Sequence, residues 1–391
     1  MAAKQSSAWK KTRKFFNDLH LWMGIASGII LFLVCLSGTV YTFRTEIEAL
    51  IEPAKYEVEV TTGAERMTAE AIMEKLQQEP GGIITSLNIP HAADEPYRVN
   101  IKQPEEEGRG TNYLVNPYTA EVKGTTESPS ADFFMFMFRL HRWLLLDREI
   151  GRPIVGAATL IFVFIILSGL VIWVPQKVSS WKQGLKIKTS GNWKRTNHDL
   201  HNALGFYSSI LLLIIALSGL CWSFEWYRDG LSEVLGTRVF GNRGGEPPVS
   251  TVPAGEADPL TIAELLSQSD ALLPYEGDYQ VSLPKEATSA VAISKNKVGF
   301  FAPAAADKLY LDQYSGEALR VEIFADKPFN EKIAASIKPI HMGYIYGTFS
   351  KIIYFIVCLI ATSLPVTGTI IWINKLRKKR KKKQPRAVSA A

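Results

Sequence analysis

The stretch DLHLWMGIASGIILFLVCLSGTVYTF, Asp18–Phe43, decides the fold. From Leu21 to Phe43 it holds no Asp, Glu, Lys or Arg. That run exceeds the roughly 20 apolar residues with which a helix crosses a bilayer. Laid without gaps over DLHNALGFYSSILLLIIALSGLCWSF, Asp199–Phe224, it shares Asp-Leu-His, a glycine four residues after the histidine, Leu-Ser-Gly and the closing Phe. Two more charge-free runs, Pro153–Gln176 and Ile352–Asn374, complete a set of four. The segments that lead into them, LHRWLLL from Leu140 and IHMGYIY from Ile340, correspond, as do their ends, LSGLVIW (Leu167–Trp173) and VTGTIIW (Val366–Trp372).

The repeat extends outward into the segments between the runs. TAEAIMEKLQ (Thr68–Gln77) reads as a short amphipathic helix capped by its threonine, and TIAELLSQ (Thr261–Gln268) is its partner. YLVNPYTAEVKG (Tyr113–Gly124) matches LYLDQYSGEALRV (Leu309–Val321); apolar and polar residues alternate around a turn, which predicts a β-hairpin. The unit is a helix, a small α+β domain and a second helix, used twice in the same orientation. The fold class expected is a membrane α-helical four-helix bundle with two small α+β domains, a tandem repeat whose pseudo-twofold axis lies along the membrane normal.

Composition agrees with this class. Of 391 residues, 47% are hydrophobic and 11% aromatic, which excludes a disordered chain. Long unbroken apolar runs exclude an ordinary soluble enzyme and an outer-membrane barrel of short alternating strands. The net charge of +6 conceals a division. Residues 1–18, 177–195 and 375–391 carry twenty bases and one acid, Asp18, whereas the remainder carries 24 bases and 37 acids. Basic segments collect on the cytoplasmic side. The expected organisation follows: a basic tail (1–18), a first span (19–44), a periplasmic domain (45–135), a periplasmic segment and second span (136–175), a basic loop (176–197), a third span (198–225), a second periplasmic domain (226–338), a fourth span (339–374) and a basic tail (375–391). The location expected is a bacterial inner membrane with both termini inside. The first run is read as a retained helix, because it is too long for a signal peptide and no small-residue cleavage site follows. The tail Lys375–Arg386 continues an apolar helix, so it is read as a topology anchor touching anionic lipid, not a nucleic-acid site. Cys35, Cys221 and Cys358 lie inside the apolar runs without a CxxC element and are read as small buried side chains.

Five of six histidines flank the spans: His20, His141, His198, His201 and His341. The repeat makes His20 equivalent to His201 and His141 equivalent to His341, one pair toward each side of the membrane. A twofold arrangement would bring each pair face to face. Two facing imidazoles without a thiolate or carboxylate suit a haem iron, whose porphyrin supplies the other ligands. Zinc or copper remains open, although zinc generally takes three or four protein ligands. Gly24 and Gly205 lie one helical turn after their histidines, on the face a flat macrocycle would approach; Gly28 extends it in one copy, with Ser209 opposite. The absence of CxxCH makes such a haem non-covalent, of b type. His198 shares a face with His201 and is open to three readings: a replacement ligand, a donor to a propionate, or no role. Arg139 and Arg142 bracket His141 and would suit propionates or an interfacial anchor. His91, after Ile89-Pro90, is read as a surface residue. Trp22, Trp143, Trp173, Trp222 and Trp372 are read mostly as interface markers. One continuous helix from His141 to Pro153 would lift His141 about 18 Å above the span, so the expectation is a break near Gly151-Arg152-Pro153 or a bundle that continues above the bilayer.

Taken together, LHLWMG in the first run, the LSG motifs, HDLHNALG in the third and the hairpins ending NPYTAEV and DQYSGEA resemble the PepSY-associated transmembrane family over about residues 14–375. The resemblance implies an inner-membrane dihaem protein that reduces ferric siderophores on the periplasmic side, with haem pairs His20/His201 and His141/His341. Gly316 stands in the second hairpin where the first has Ala120, a departure that concerns turn geometry. The expected mechanism is electron transfer through two b-type haems to a periplasmic ferric chelate, whose reduction weakens hard-oxygen ligation and releases iron. No GxGxxG fingerprint is present, so the donor expected is external: a flavoprotein, a reduced flavin or a quinol. The haem ligands are the only catalytic groups expected, and membrane lipid is the expected surround. The acidic outside segments would favour neutral or cationic chelates, a bias that equal low-salt rates for cationic and anionic chelates would remove. Alternatives are a relay to another metal, sulfur compound or protein, and a non-redox PepSY binding or regulatory module. A transporter is disfavoured, since the runs hold no midspan charge and Pro365 is their one midspan breaker.

Overall fold

The computed structural model describes residues 7–60, 63–104, 108, 110–175, 181–241, 246–255 and 257–383. Parts of the basic tails (1–6 and 384–391) and of the basic loop (176–180) lie outside the described residues. In chain order, α1 (Ser7–Tyr41) leads into α2 (Arg44–Ile51) and α3 (Pro53–Tyr56). Next come α4 (Ala69–Gln78), β1 (Ile83–Ile89), β2 (Tyr97–Lys102), β3 (Thr111–Val115) and β4 (Val122–Thr125). The chain returns through α5 (Ala131–Trp143) and α6 (Arg148–Trp173), passes α7 (Trp181–Gly184), and rises again in α8 (Trp193–Ser223) and α9 (Glu225–Leu235). The second copy follows as α10 (Ile262–Leu272), β5 (Gly277–Ser282), β6 (Val291–Lys297), β7 (Asp307–Leu311), β8 (Ala318–Glu322), α11 (Phe329–Met342) and α12 (Gly347–Lys383).

Helices α1, α6, α8 and α12 are long and apolar enough to cross a membrane. The protein is therefore a multi-pass membrane protein with a separate antiparallel sheet domain. Each long helix packs against two others: α1 and α8 both contact α6 and α12. Buried serines and threonines in these helices return their hydroxyls to their own backbone, as Ser27 does to the Met23 carbonyl at 2.7 Å. A polar group without water is satisfied locally in this way.

Both predicted hairpins and both predicted short helices are present. Thr68 caps α4 by accepting from the Ala71 amide, and Thr261 forms a full capping box with Glu264 on α10. The two α+β units are not separate domains, however. They share one eight-stranded sheet in the order β4-β3-β2-β1-β5-β6-β7-β8. The join is an antiparallel pairing of β1 with β5, in which Leu87 faces Val281. Each copy would otherwise leave an exposed edge at this strand, and pairing two like edges removes both. Helices α4 and α10 lie over a single shared core that includes Ile72, Leu76, Leu87, Leu265, Val281 and Ile293.

The break before the second span lies earlier than expected. It occupies Leu144–Asp147, and α6 runs unbroken through Gly151, Arg152 and Pro153. Leu144 and Leu145 adopt left-handed φ values of 54° and 61°, which turns the chain back on itself. Gly151 makes the reversal possible, since a side chain there would collide with the Trp143 carbonyl at 2.0 Å. The second copy turns at Gly343, with φ 83°. As a result α5 packs along α1, and α11 along α8, instead of projecting above the long helices.

Candidate functional site

The helix reversals decide where the histidines stand. His20 on α1 faces His201 on α8, with ring centroids 6.3 Å apart and planes at 88°. His141 at the end of α5 faces His341 at the end of α11, with centroids 6.2 Å apart and planes at 52°. Both repeat-predicted pairs are thus assembled. With His141 and His341, the pair nearer the sheet, called outer and His20 and His201 inner, Val34 on α1 and Ile215 on α8, which receive the outer histidines, each lie fourteen residues beyond an inner one. At 1.5 Å per residue the two levels are about 21 Å apart along the helices.

Every ring is held by its Nδ1 atom. His20 Nδ1 lies 3.0 Å from the Ile165 carbonyl, His141 Nδ1 2.8 Å from that of Val34, and His341 Nδ1 3.0 Å from that of Ile215. A carbonyl only accepts, so Nδ1 carries the proton in these three rings. His201 Nδ1 lies 2.9 Å from the Thr367 hydroxyl, which donates its own hydrogen to the Ser363 or Leu364 carbonyl. In that orientation the hydroxyl oxygen accepts from Nδ1, which gives His201 the same form. All four imidazoles therefore keep an unprotonated Nε2, the lone pair a metal uses, while the other nitrogen is anchored.

A glycine stands beneath each ring. A methyl group at Gly169 would lie 3.2 Å from His20, and one at Gly368 the same distance from His201. At Gly38 it would lie 2.9 Å from His141, and at Gly219 2.8 Å from His341. These glycines belong to the LSG and VTG motifs of the four long helices. The motifs are visible in the sequence; their role as seats for histidines on neighbouring helices appears only in three dimensions.

Two cavities adjoin the pairs. The inner one, about 250 Å³, is lined by His20, His201, Gly24, Gly28 and Gly205, with His198 among its lining residues. Nothing lies within 4 Å of a methyl group built on Gly24, whereas one on Gly205 would touch Leu364 at 3.8 Å and one on Gly28 would lie 4.0 Å from Pro365. His198 is exposed, 3.5 Å from the Asp199 carboxylate, and His201 is the residue that faces His20. The outer cavity, about 1490 Å³, reaches from His141 and His341 to Asp94 and Glu95 on the sheet domain. Leu31, Phe162 and Leu212 line both cavities and form the wall between them.

The outer cavity is electrically divided. Arg142, Arg152 and Lys338 line it together with the histidines, whereas Glu57, Asp94 and Glu95 line it with Arg98 toward the sheet. Burial, with Asp278 nearby, pushes the Glu95 carboxyl up from its ordinary value. Glu46 on its wall accepts from Lys351 at 2.7 Å; burial opposes ionisation there, but this bond and the charge of Lys351 hold its carboxyl below the usual range. Of the two predicted arginines, Arg142 reaches the cavity and stacks over Phe138 and Trp143, while Arg139 is exposed and is not among the lining residues. Arg152, unassigned from sequence, donates to the Trp222 carbonyl at 2.7 Å, and the Trp222 ring lies 5.1 Å from His341. Trp222 is half-buried, and Trp173 is buried and stacks on Phe206 at 3.6 Å beside the inner cavity. His91 is partly exposed, 3.5 Å from Glu276, away from both histidine pairs. Among the described residues no three or more His, Cys, Asp or Glu gather as a metal-ion cage, and the three cysteines are unpaired.

The family model of the PepSY-associated TM region matches residues 18–375, which span all four long helices, both histidine pairs and the sheet. The chain belongs to this family. No curated protein matches it significantly. The histidine pairs, their glycine seats and the shared sheet are thus features of a PepSY-associated membrane protein, and the family description names no reaction.

Proposed function

We propose that the protein carries electrons across a bacterial inner membrane through two b-type haems, and delivers them to a ferric siderophore or similar ferric chelate on the periplasmic side. The observation that carries this reading is the facing of four histidines in two pairs, each ring anchored through Nδ1 so that Nε2 is left for a metal. The separations support it. Two metal–nitrogen bonds of about 2.0–2.1 Å, with roughly 1.1 Å from each nitrogen to its ring centroid, predict centroids about 6.3 Å apart for one metal between two imidazoles. The pairs stand at 6.3 and 6.2 Å. Two protein ligands with no third nearby suit a metal that brings its own equatorial ligands, and the open face at Gly24 beside the inner cavity suits a flat ring.

His20 and His201 would hold the inner haem and His141 and His341 the outer one, and each haem would supply a one-electron site. The chain's own residues do the rest. The four Nδ1 bonds fix ring orientation. Leu31, Phe162 and Leu212 fill the interval with apolar contacts and keep water from it. Arg142 and Arg152 offset negative charge beside the outer pair, where haem propionates or an anionic chelate would be met. The large outer cavity receives the acceptor between the helices and the sheet. Each Fe(III) takes one electron and leaves as Fe(II), which oxygen ligands hold less tightly. The electron comes from outside the chain, from a reduced flavin, a flavoprotein or a quinol. The basic termini and loop support a cytoplasmic side for the inner pair.

A visible spectrum of the purified protein, oxidised and dithionite-reduced, with haem quantified per chain, tests the reading. Two low-spin b haems per chain are expected. A colourless protein from a haem-replete host would contradict it and turn attention to a binding role for the sheet domain.

A further inference from the structure

The seats beneath the four histidines follow one rule. On each long helix a glycine at position i+4 meets a histidine from another helix, with a carbonyl at i and a hydroxyl at i+3 on the same face. The sets are Val34, Ser37 and Gly38 for His141; Ile165, Ser168 and Gly169 for His20; Ile215, Ser218 and Gly219 for His341; and Leu364, Thr367 and Gly368 for His201. Residues three and four apart share a helical face, so one ring can meet all three. The glycine admits the ring, and the carbonyl or hydroxyl takes its proton.

The hydroxyl is not used equally. Ser168 Oγ lies 3.1 Å from His20 Nδ1 and Thr367 Oγ1 2.9 Å from His201 Nδ1. Ser218 Oγ is farther from His341 Nδ1, at 3.3 Å. Ser37 bonds only its own helix, at Leu33 and Val34, and leaves His141 to the Val34 carbonyl. Thr367 is itself fixed from α8, because the Asn197 amide donates to its carbonyl at 3.0 Å.

We propose that Ser168 and Thr367 are positioning residues that set the redox potential of the inner centre, while Ser37 has no such role at the outer one. An acceptor at Nδ1–H gives the ring partial imidazolate character and makes Nε2 a stronger ligand. A stronger ligand favours the oxidised metal, so the hydroxyls hold the inner potential down. Each hydroxyl also donates to a carbonyl of its own helix, which strengthens it as an acceptor. The inference rests on the haem reading and adds what tunes one of the two centres.

The experiment is a redox titration of the full-length protein in detergent, followed by visible absorbance and low-temperature EPR. Ser168→Ala and Thr367→Val are expected to raise the midpoint of one centre and shift its EPR signal, with two haems per chain retained. Thr367→Ser is expected to restore the original values, and Ser37→Ala to leave both centres where they were. Unmoved potentials in Ser168→Ala and Thr367→Val with both haems in place would overturn this inference and leave the proposed function standing. So would an equal shift in Ser37→Ala. A wild-type protein without haem would overturn both.

Discussion

The two histidine pairs have nearly equal separations, 6.3 and 6.2 Å, yet are built differently. The inner pair sits on α1 and α8 themselves, so its spacing depends only on how two long helices pack. The outer pair sits on α5 and α11, short helices that fold back along α1 and α8 through left-handed turns at Leu144 and Gly343. The inner site is a property of helix register, and the outer site is a property of register and of two reversals. The outer site is also the tighter seat: a methyl group built on its glycines would lie 2.8–2.9 Å from the rings, against 3.2 Å inside.

The largest expected effect separates the pairs outright. His20→Ala or His201→Ala should remove one haem of two per chain, and His141→Ala or His341→Ala the other, as read by a pyridine haemochrome assay. Loss of both haems in any single variant would break the independence of the two sites. The seats sharpen the contrast. Overpacking of this kind costs about 1–3 kcal/mol, so Gly38→Ala or Gly219→Ala should speed release of the outer haem by roughly fivefold to a hundredfold, at about 1.4 kcal/mol per tenfold. Gly169→Ala and Gly368→Ala should act less on the inner one. Haem transfer to apomyoglobin measures both, and equal rates would remove the distinction.

The reversals give the next effect. Gly343→Val combines a disfavoured φ with a contact 2.6 Å from Tyr354 and should lower thermal stability and loosen the outer site alone. Leu144→Gly should stabilise by about 1 kcal/mol, since the left-handed conformation costs a side chain about 1–2 kcal/mol. A fall in melting temperature for Leu144→Gly would show that its side-chain contacts outweigh its strain. The smallest effect lies at the cavity wall. Glu46→Gln removes a partly exposed ion pair to Lys351 and should cost less than about 1 kcal/mol. Its folded-state pKa is depressed, so its contribution is present above the unfolded value and fades as pH falls through the folded one. The acid limb of unfolding should therefore flatten slightly in Glu46→Gln, and an unchanged limb would assign the stabilisation elsewhere.

Much of the fold was legible because hydrophobic length and internal repetition are properties of the chain itself. The four long helices, the capped helices at Thr68 and Thr261 and the two hairpins all follow from local pattern. The join of β1 to β5 was not legible, because either strand alone reads as an ordinary amphipathic edge. The repeat placed four histidines in two pairs, since equivalent positions in a twofold repeat meet across the axis. It could not place the reversal at Leu144, where two leucines adopt φ values that glycine usually takes and where Gly151-Arg152-Pro153 offered a more obvious break. Nor could it show that Ser168 and Gly169 serve His20, a contact between helices that are distant in sequence. Four occurrences of Ser-Gly or Thr-Gly at matching depths were the available signal.

The most direct test of transmembrane electron transfer uses proteoliposomes. A ferric chelate and a chromogenic Fe(II) chelator are enclosed with the sheet domain facing the lumen, and reduced flavin is added outside. The account predicts that Fe(II) forms in the lumen with the wild-type protein and is lost in both His20→Ala and His341→Ala. Equal Fe(II) formation in wild type and His20→Ala, or none in a wild type carrying both haems, would contradict it.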